Sequence, residues 1–244
     1  MNYQASRKEI DYSVYAESYD VLCGANPAYQ ELLSIFQSWL RSSDLSKEAR
    51  VLDVGAGTGN FLIATSEVLE DARLTHVDCN QEMNLLAQKK YSSSSIEAEI
   101  IEGYMQNVNL PERSYDLVVC VNALNNAPPV FPMLSRFERW LDPEGYLFLI
   151  DFGRKLKMLD WGTYLIQESL KTQGFMGTFE LLKKTRKAIS SNSAGRRDQA
   201  SGSLWTHTTI ELQTLAQKAG FVIHKTDLCY RGYADLLICQ SAKI

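Results

Sequence analysis

Between positions 50 and 152 short apolar runs recur at 50–54, 74–78, 98–102, 115–121 and 145–152, each separated from the next by room for a helix or a loop. Helical periodicity occupies 61–69, 80–91 with Asn80 as the N-cap, and 130–141, which Asp142-Pro143-Glu144-Gly145 closes. Strands alternating with helix-length connections predict βαβ units and a parallel sheet with helices on its faces. Further on, Thr208 and Glu211 form a capping box that opens a helix with Leu212, Leu215, Ala216 and Ala219 on one face, and Gly220 is its expected C-cap. Two last strands, 222–228 and 235–239, complete a doubly wound, seven-stranded, mostly parallel α/β core.

The pattern changes on either side of that rhythm. The lead is aromatic and helical, with Tyr29, Leu32, Leu33 and Phe36 at helical spacing. Residues 153–203 hold two expected helices, one with Trp161, Tyr164 and Leu165 on a face and one with Phe175, Phe179 and Leu182, followed by a polar stretch at 190–203 expected as a flexible loop. The division is therefore an N-terminal helical lid over 1–45, a cofactor-binding core over 46–152, a helical cap over 153–204, and a last helix and strand pair over 205–244.

Composition narrows the class. In 244 residues, 25 Lys+Arg against 29 Asp+Glu give a net charge of −4, so no global positive field draws the chain to nucleic acid or to an anionic membrane. The five scattered cysteines sit mostly in apolar runs and read as reduced core thiols. With three histidines and no CxxC or HExxH, no metal site is expected. No apolar run has membrane-spanning length and the first residues are not signal-like, so the expectation is a cytoplasmic protein, monomer or homodimer.

The most informative run is Val51-Leu52-Asp53-Val54-Gly55-Ala56-Gly57-Thr58-Gly59: an apolar strand, three glycines in five positions, then a helix. Such a turn lets backbone approach a nucleoside at the carboxyl edge of an open sheet. A dinucleotide fingerprint needs GxGxxG, but Asn60 occupies the sixth position; the loop is GxGxG, with Asp53 inside the strand two residues before the first glycine. Asp78 ends the next strand as THVD, 25 residues after Asp53.

This pattern resembles motif I of the class I S-adenosylmethionine-dependent methyltransferases. The likeness continues through THVD, LPERSYDLVVCVNALNNAPP, LDPEGYLFLIDF and AGFVIHKTDLCYRGYADLLICQSAK, covering about residues 50–152 and 205–243. It implies that Asp78 holds both ribose hydroxyls, a task suited to a carboxylate because it accepts from two donors at once. Asp53 then binds the methionine amino group, directly or through water; without the resemblance it reads as a turn cap. The implied cofactor contacts are Asp53, Gly55, Ala56, Gly57, Gly59, Asp78, Cys79, Met83, Tyr104, Met105, Gln106, Val121, Asn122 and Tyr19. One departure stands out: Tyr104 occupies the place of the acid that takes the adenine amine in this family. Either Gln106 or a carbonyl holds that amine, or Tyr104 and Met105 supply ring packing and a backbone N–H.

Methyl transfer from a sulfonium needs a positioned nucleophile and excluded water, and a general base only where the acceptor carries a proton to lose. Asn122, Asn125 and Asn126 follow the fourth strand, either as acceptor contacts or as turn caps. Asp151 ends the fifth strand and is a candidate base. His207 is the best base on chemistry, its alternative being a surface residue ahead of a helix, while His76 and His224 fall in strands and read as structural. Tyr12, Tyr15 and Tyr19 share a helical face, closing over the cofactor or buried on the core. The expected acceptor pocket comprises Tyr15, Asn125, Asn126, Trp161, Tyr164, Phe175 and Phe179.

Residues 153–197 carry ten Lys+Arg against three acids, a local +7 that leaves −11 for the rest. That basicity either marks a solvated helix face or favours an anionic or carrier-bound acceptor. The leading expectation is methyl transfer to the O, N or C nucleophile of a small molecule, in secondary metabolism. The alternatives are a nicotinamide-dependent oxidoreductase, disfavoured by Asn60, and a non-catalytic nucleoside-binding protein. A nucleic-acid methyltransferase is disfavoured because NNAPPV replaces the D/N-P-P-Y motif for flipped bases.

Overall fold

The computed structural model describes residues 16–200 and 204–242. Tyr12 and Tyr15 lie outside the described residues. Seven strands, β1 (Arg50–Val54), β2 (Arg73–Asp78), β3 (Ala98–Glu102), β4 (Tyr115–Val121), β5 (Leu141–Phe152), β6 (Phe221–Cys229) and β7 (Ala234–Ser241), form one sheet in the order β3-β2-β1-β4-β5-β7-β6. β7 runs antiparallel to both of its neighbours and the other pairs are parallel. The strand order reverses between β1 and β4, the switch point at which open α/β sheets leave a crevice at their carboxyl ends.

The apolar alternation divides the core between the two faces of the sheet. α2 (Pro27–Ser42) and α3 (Asn60–Ser66) cover one face, where Leu32, Phe36 and Phe61 meet Val51, Phe148 and Ile150. α5 (Val130–Trp140) and α7 (Thr209–Lys218) cover the other, with Leu134, Phe137, Leu212 and Ala216 against Leu147, Leu149 and Leu237. α4 (Gln81–Ser93) joins β2 to β3, and the side chain of its N-cap Asn80 accepts from the Met83 N–H, as its sequence predicts. Thr208 caps α7 by accepting from the Glu211 N–H at 3.2 Å. Ala219 is the C-cap of that helix, one residue earlier than expected, and Gly220 follows it in the left-handed region at φ 100°.

Several boundaries depart from the sequence reading, among them the end of α3 at Ser66 rather than 69. β5 begins at Leu141 rather than 145, because a register shift opposite Tyr115 lets Asp142–Gly145 bulge without ending the strand. The cap after β5 is α6 (Met158–Ala200), broken once at Gly174 with φ 67° and ψ −174°. The stretch expected as a flexible loop at 190–203 is helical as far as Ala200. Its polar composition lacks apolar periodicity, but it contains no proline, and Ala, Arg and Gln are good helix formers. α1 (Ala16–Ala25) packs against α6.

Candidate functional site

The turn after β1 is held by backbone bonds before any ligand is considered. Gly55 and Ala56 donate to the Val77 carbonyl at 2.8 and 3.1 Å, and Gly59 donates to Ala56 at 2.9 Å. Gly57 and Gly59 both have positive φ, at 56° and 78°, for different reasons. A Cβ on Gly59 would overlap the Tyr91 phenol, whereas a Cβ on Gly57 would meet nothing within 4 Å. Gly59 is thus a packing glycine, and Gly57 fronts open space. Asp78, at the end of β2, reaches across the crevice: its Oδ2 accepts from the Gly57 N–H and its Oδ1 from the Asn80 N–H, both at 2.8 Å.

Asp53 is buried, and its Oδ2 has no hydrogen-bond partner. Desolvation, and then the neighbouring Asp78 charge, push its carboxyl up to about 8. It borders a cavity of about 30 Å³ lined also by Tyr19, Tyr29, Gly57, Val121 and Asn122. Asn122 sits at φ 54° just past β4, and its buried Oδ1 also lacks a partner. Burial raises the Tyr19 and Tyr29 phenols far above their ordinary range, so both stay neutral. Two orphaned acceptors beside an open glycine call for a ligand with donors, since a buried polar atom without a partner is costly.

Of the other expected cofactor contacts, Met83 is buried in α4, Met105 packs beside Gly55, and Gln106 is half-buried. Cys79 is exposed, which corrects its reading as a core thiol; Cys23, Cys120, Cys229 and Cys239 are buried. Tyr104 is 42% exposed, and its carbonyl accepts from the Asn107 and Val108 N–H groups at 2.8 and 3.1 Å. A wider, open groove of about 1020 Å³ runs between α4 and the outer strands, but no residue of the glycine loop lines it. Cavity size and chemistry disagree here, and the orphaned atoms mark the smaller site.

Beyond β4 a short 3-10 turn, Leu124–Asn126, buries Asn125 and exposes Asn126, whose Nδ2 donates to Asn125 Oδ1 at 2.9 Å. The Asn125 carbonyl accepts from the Trp205 N–H at 3.0 Å, which brings the segment before α7 to this edge. His207 is therefore buried rather than on the surface, stacked on Trp205 with ring centroids 4.3 Å apart. Two fully buried carboxylates flank it: Asp151 Oδ2 lies 3.9 Å from Nε2, and Asp235 Oδ2 lies 3.5 Å from Nδ1. Asp235 is in turn held by Arg154 Nη1 at 2.6 Å and Thr209 Oγ1 at 2.5 Å. His207 Nε2 has no hydrogen-bond partner, and Asp151 has no side-chain partner, only the backbone N–H groups of Asn125 and Phe152 beside it. Burial lowers the His207 pKa in spite of Asp235, and burial raises Asp151 well above the carboxylate range. The structure thus joins two separate candidates, and adds Asp235 and Arg154, which sequence reasoning missed. The signal available was an acid inside the apolar run YADLLIC, opposite Asp151 in the β5–β7 register.

The remaining histidines differ from each other. His76 is buried between Tyr91 Oη at 2.9 Å and Asn84 Oδ1 at 3.0 Å, a structural role, whereas His224 is exposed and meets Gln240 at 3.1 Å. The aromatics of the cap do not form one wall. Trp161 is buried against Tyr230, with centroids 4.7 Å apart, and Tyr164 packs edge-on against it under the Arg231 guanidinium. Phe175 and Phe179, expected beside them in the acceptor pocket, are 76% and 58% exposed on the far arm of α6. The Gly174 break turns their stripe outward, while Ser169 and Thr178 hydrogen-bond at 3.0 Å on the inner side.

α1 borders the other side of the site through Tyr19, and the polar contacts of its Asp20 were not read from the sequence. Asp20 accepts from Thr58 Oγ1 at 2.5 Å and pairs with Lys90 of α4 at 2.9 Å, while Asn60 Nδ2 donates to the Tyr29 hydroxyl at 3.1 Å. Among the described residues no cluster could hold a metal ion, and no helix is long and apolar enough to cross a membrane.

A seven-stranded sheet with one antiparallel strand, a GxGxG turn after β1 and an acid at the end of β2 give this chain the fold and glycine loop of the class I S-adenosylmethionine-dependent methyltransferases. Residues 51–145 match the family model described as a methyltransferase domain. Over 105 residues the chain is 30% identical to demethylmenaquinone methyltransferase of Chlorobaculum tepidum, covering 43% of this chain and 41% of that protein. The chain therefore spans about two-fifths of that relative's length. A Bacillus subtilis protein named as the methyltransferase YqeM is 26% identical over 226 residues, covering 88% of this chain and 87% of its own. In fold, the chain is similar to magnesium protoporphyrin IX methyltransferase of Synechocystis PCC 6803 with bound S-adenosylhomocysteine, at a TM-score of 0.60, 18% identity, and coverage of 88% of this chain and 84% of that one.

Proposed function

We propose that this chain transfers a methyl group from S-adenosylmethionine to a small-molecule acceptor. The observation that carries the reading is the pair of buried, partnerless acceptors, Asp53 Oδ2 and Asn122 Oδ1, on the cavity fronted by Gly57. Their chemistry fits an amino-acid ammonium, and Asp78 beside them fits a ribose diol. When bound, the cofactor supplies a methyl group already activated on a sulfonium. Of the expected contacts, Gly55, Ala56, Gly57, Gly59, Val121, Asn122 and Tyr19 flank the methionine end, while Asp78, Cys79, Met83, Tyr104, Met105 and Gln106 belong to the nucleoside end.

His207, kept neutral by burial, is the proton-accepting group in this proposal, with Asp151 facing its Nε2 and Asn125 orienting the acceptor beside them. A base is needed only for an acceptor that loses a proton as it is methylated. Relatives named for a menaquinone precursor and a structural neighbour named for a porphyrin support an aromatic, poorly water-soluble acceptor. Residues 1–45 serve as lid and 153–204 as cap in the same reading, and cytoplasmic location, a biosynthetic role and a monomer or homodimer belong with it.

The test is calorimetry with S-adenosylmethionine and S-adenosylhomocysteine. Asp78→Ala removes a charged acceptor of two hydrogen bonds, and affinity is expected to fall by a factor of about 10 to 100, since such bonds contribute roughly 1.5–3 kcal/mol each before water compensates. Wild-type affinity in that variant, or no heat of binding in the parent, would sink the assignment.

A further inference from the structure

The outer arm of α6 presents its apolar side chains to solvent. Phe175 is 76% exposed, Met176 72%, Phe179 58% and Leu182 41%, and before the Gly174 break Ile166 and Leu170 are 39% and 43% exposed. The inner side of the same hairpin is already satisfied, because Ser169 and Thr178 are buried against each other. An apolar patch with several large side chains on a folded domain marks a surface that something covers. The sequence of this arm is basic: residues 175–200 hold six Lys+Arg, Lys183 and Lys184 among them, against Glu180 and Asp198, a net +4 in a chain of net −4. Lys183 and Lys184 are exposed, and Lys171 is too, beside its partner Glu168 at 2.6 Å.

We propose that this face docks on an anionic lipid bilayer, with Phe175, Met176 and Phe179 entering the headgroup region and the basic side chains lying against lipid phosphates. An apolar tip flanked by Lys and Arg is the composition of an interfacial helix. Two features favour a bilayer over a protein. A symmetric contact with a second copy would set one basic arm against another and repel. The apolar residues also project from a sharp turn rather than lining a groove, so a rigid partner would need a matching pocket whereas a bilayer deforms around them. The overall charge of −4 argues against an anionic surface as partner, but screening confines electrostatics to about a Debye length, so the local field of this arm decides. The inference goes beyond methyl transfer and does not depend on it.

Co-sedimentation of the full chain with vesicles tests it, using phosphatidylcholine alone and phosphatidylcholine with about one third phosphatidylglycerol. Binding is expected to be at least about tenfold tighter to the anionic vesicles and to weaken with added salt. The double substitution Phe175→Asp with Phe179→Asp should lose that binding, and Lys183→Glu with Lys184→Glu should lose the anionic preference. Circular dichroism and the thermal shift with S-adenosylhomocysteine report in parallel on fold and on the cofactor site. Absence of vesicle binding, or binding that neither pair of substitutions weakens, would overturn the proposal. So would a self-association in sedimentation velocity that the phenylalanine substitutions abolish without any vesicle binding, since the occupant is then a second copy.

Discussion

At the residue scale, Asp53 couples the site to pH. Its carboxyl is raised from the ordinary carboxylate range to about 8, so between about 4 and 8 the folded chain holds a proton there that the unfolded chain has released. The stability from that difference is fully present below the unfolded value and is lost as pH rises through 8. Asp151 acts in the same direction, whereas His76 and His207, lowered by burial, oppose it below their ordinary range. The diagnostic quantity is therefore a difference between variants: Asp53→Asn should gain thermal stability relative to wild type as pH goes from 6 to 9, and bind S-adenosylmethionine more weakly throughout. A gap between the two melting curves that stays constant with pH would refute the assignment. The adjacent glycines separate ligand from packing. Gly57→Ala should fold, at about 1–2 kcal/mol for its left-handed backbone, and lose most cofactor affinity in calorimetry. Gly59→Ala, which collides with Tyr91, should lose stability first. The placing of Asp53 and Gly57 was legible because it follows from spacing along one strand–turn–helix unit, and that of Asp78 because it ends the next parallel strand. The burial of His207 was not, since it depends on β7 delivering Asp235 from nearly thirty residues further along the chain.

Elements were legible in proportion to how local their causes are. The first strand, the Asn80 cap and the Thr208 capping box rest on neighbouring residues, and the structure has them where the sequence puts them. The start of β5 and the course of α6 rest on tertiary context. A bulge opposite Tyr115 keeps Asp142–Gly145 in the strand, and a single left-handed glycine reverses the outlook of an apolar stripe. The β5–β7 pair shows what such context builds. Its register sets Asp151 opposite Asp235, and Gly153 lets the His207 backbone approach, since a Cβ there would lie 2.7 Å from the His207 carbonyl oxygen. Arg154 neutralises the buried Asp235 from a position about one third exposed. Arg154→Ala should therefore cost about 2–3 kcal/mol, less than for a fully buried pair because the guanidinium is partly solvated. It should also raise the His207 pKa, as the repelling charge is gone and Asp235 is left to attract the imidazolium. Chemical denaturation and an imidazole titration by NMR check the two halves separately, and a His207 pKa that falls would contradict the arrangement.

Across the whole molecule, α6, α1 and the glycine loop are linked by successive contacts. α1 rests on α6, and α1 carries Asp20, whose carboxylate ties Thr58 of the glycine loop to Lys90 of α4. The cavity behind this latch is small, about 30 Å³, and Tyr19 of α1 lines it, so a shift of α1 changes the space beside Asp53 and Gly57. If residues 153–203 built only the acceptor pocket, replacing them with a short glycine-serine linker would leave cofactor binding nearly intact while abolishing turnover. The packing of α1 on α6 argues otherwise, because a cap that supports the lid also supports the loop beneath it. Replacing residues 158–200 with such a linker should weaken S-adenosylhomocysteine binding about as much as Asp20→Ala does. The two changes together should cost no more than the larger alone, since they break one linkage, and contacts in a shared network are not additive. A calorimetric double-mutant cycle measures this directly. Full additivity would mean that the cap and the latch act independently, and intact binding in the linker variant would mean that α1 holds its place on the glycine loop without α6.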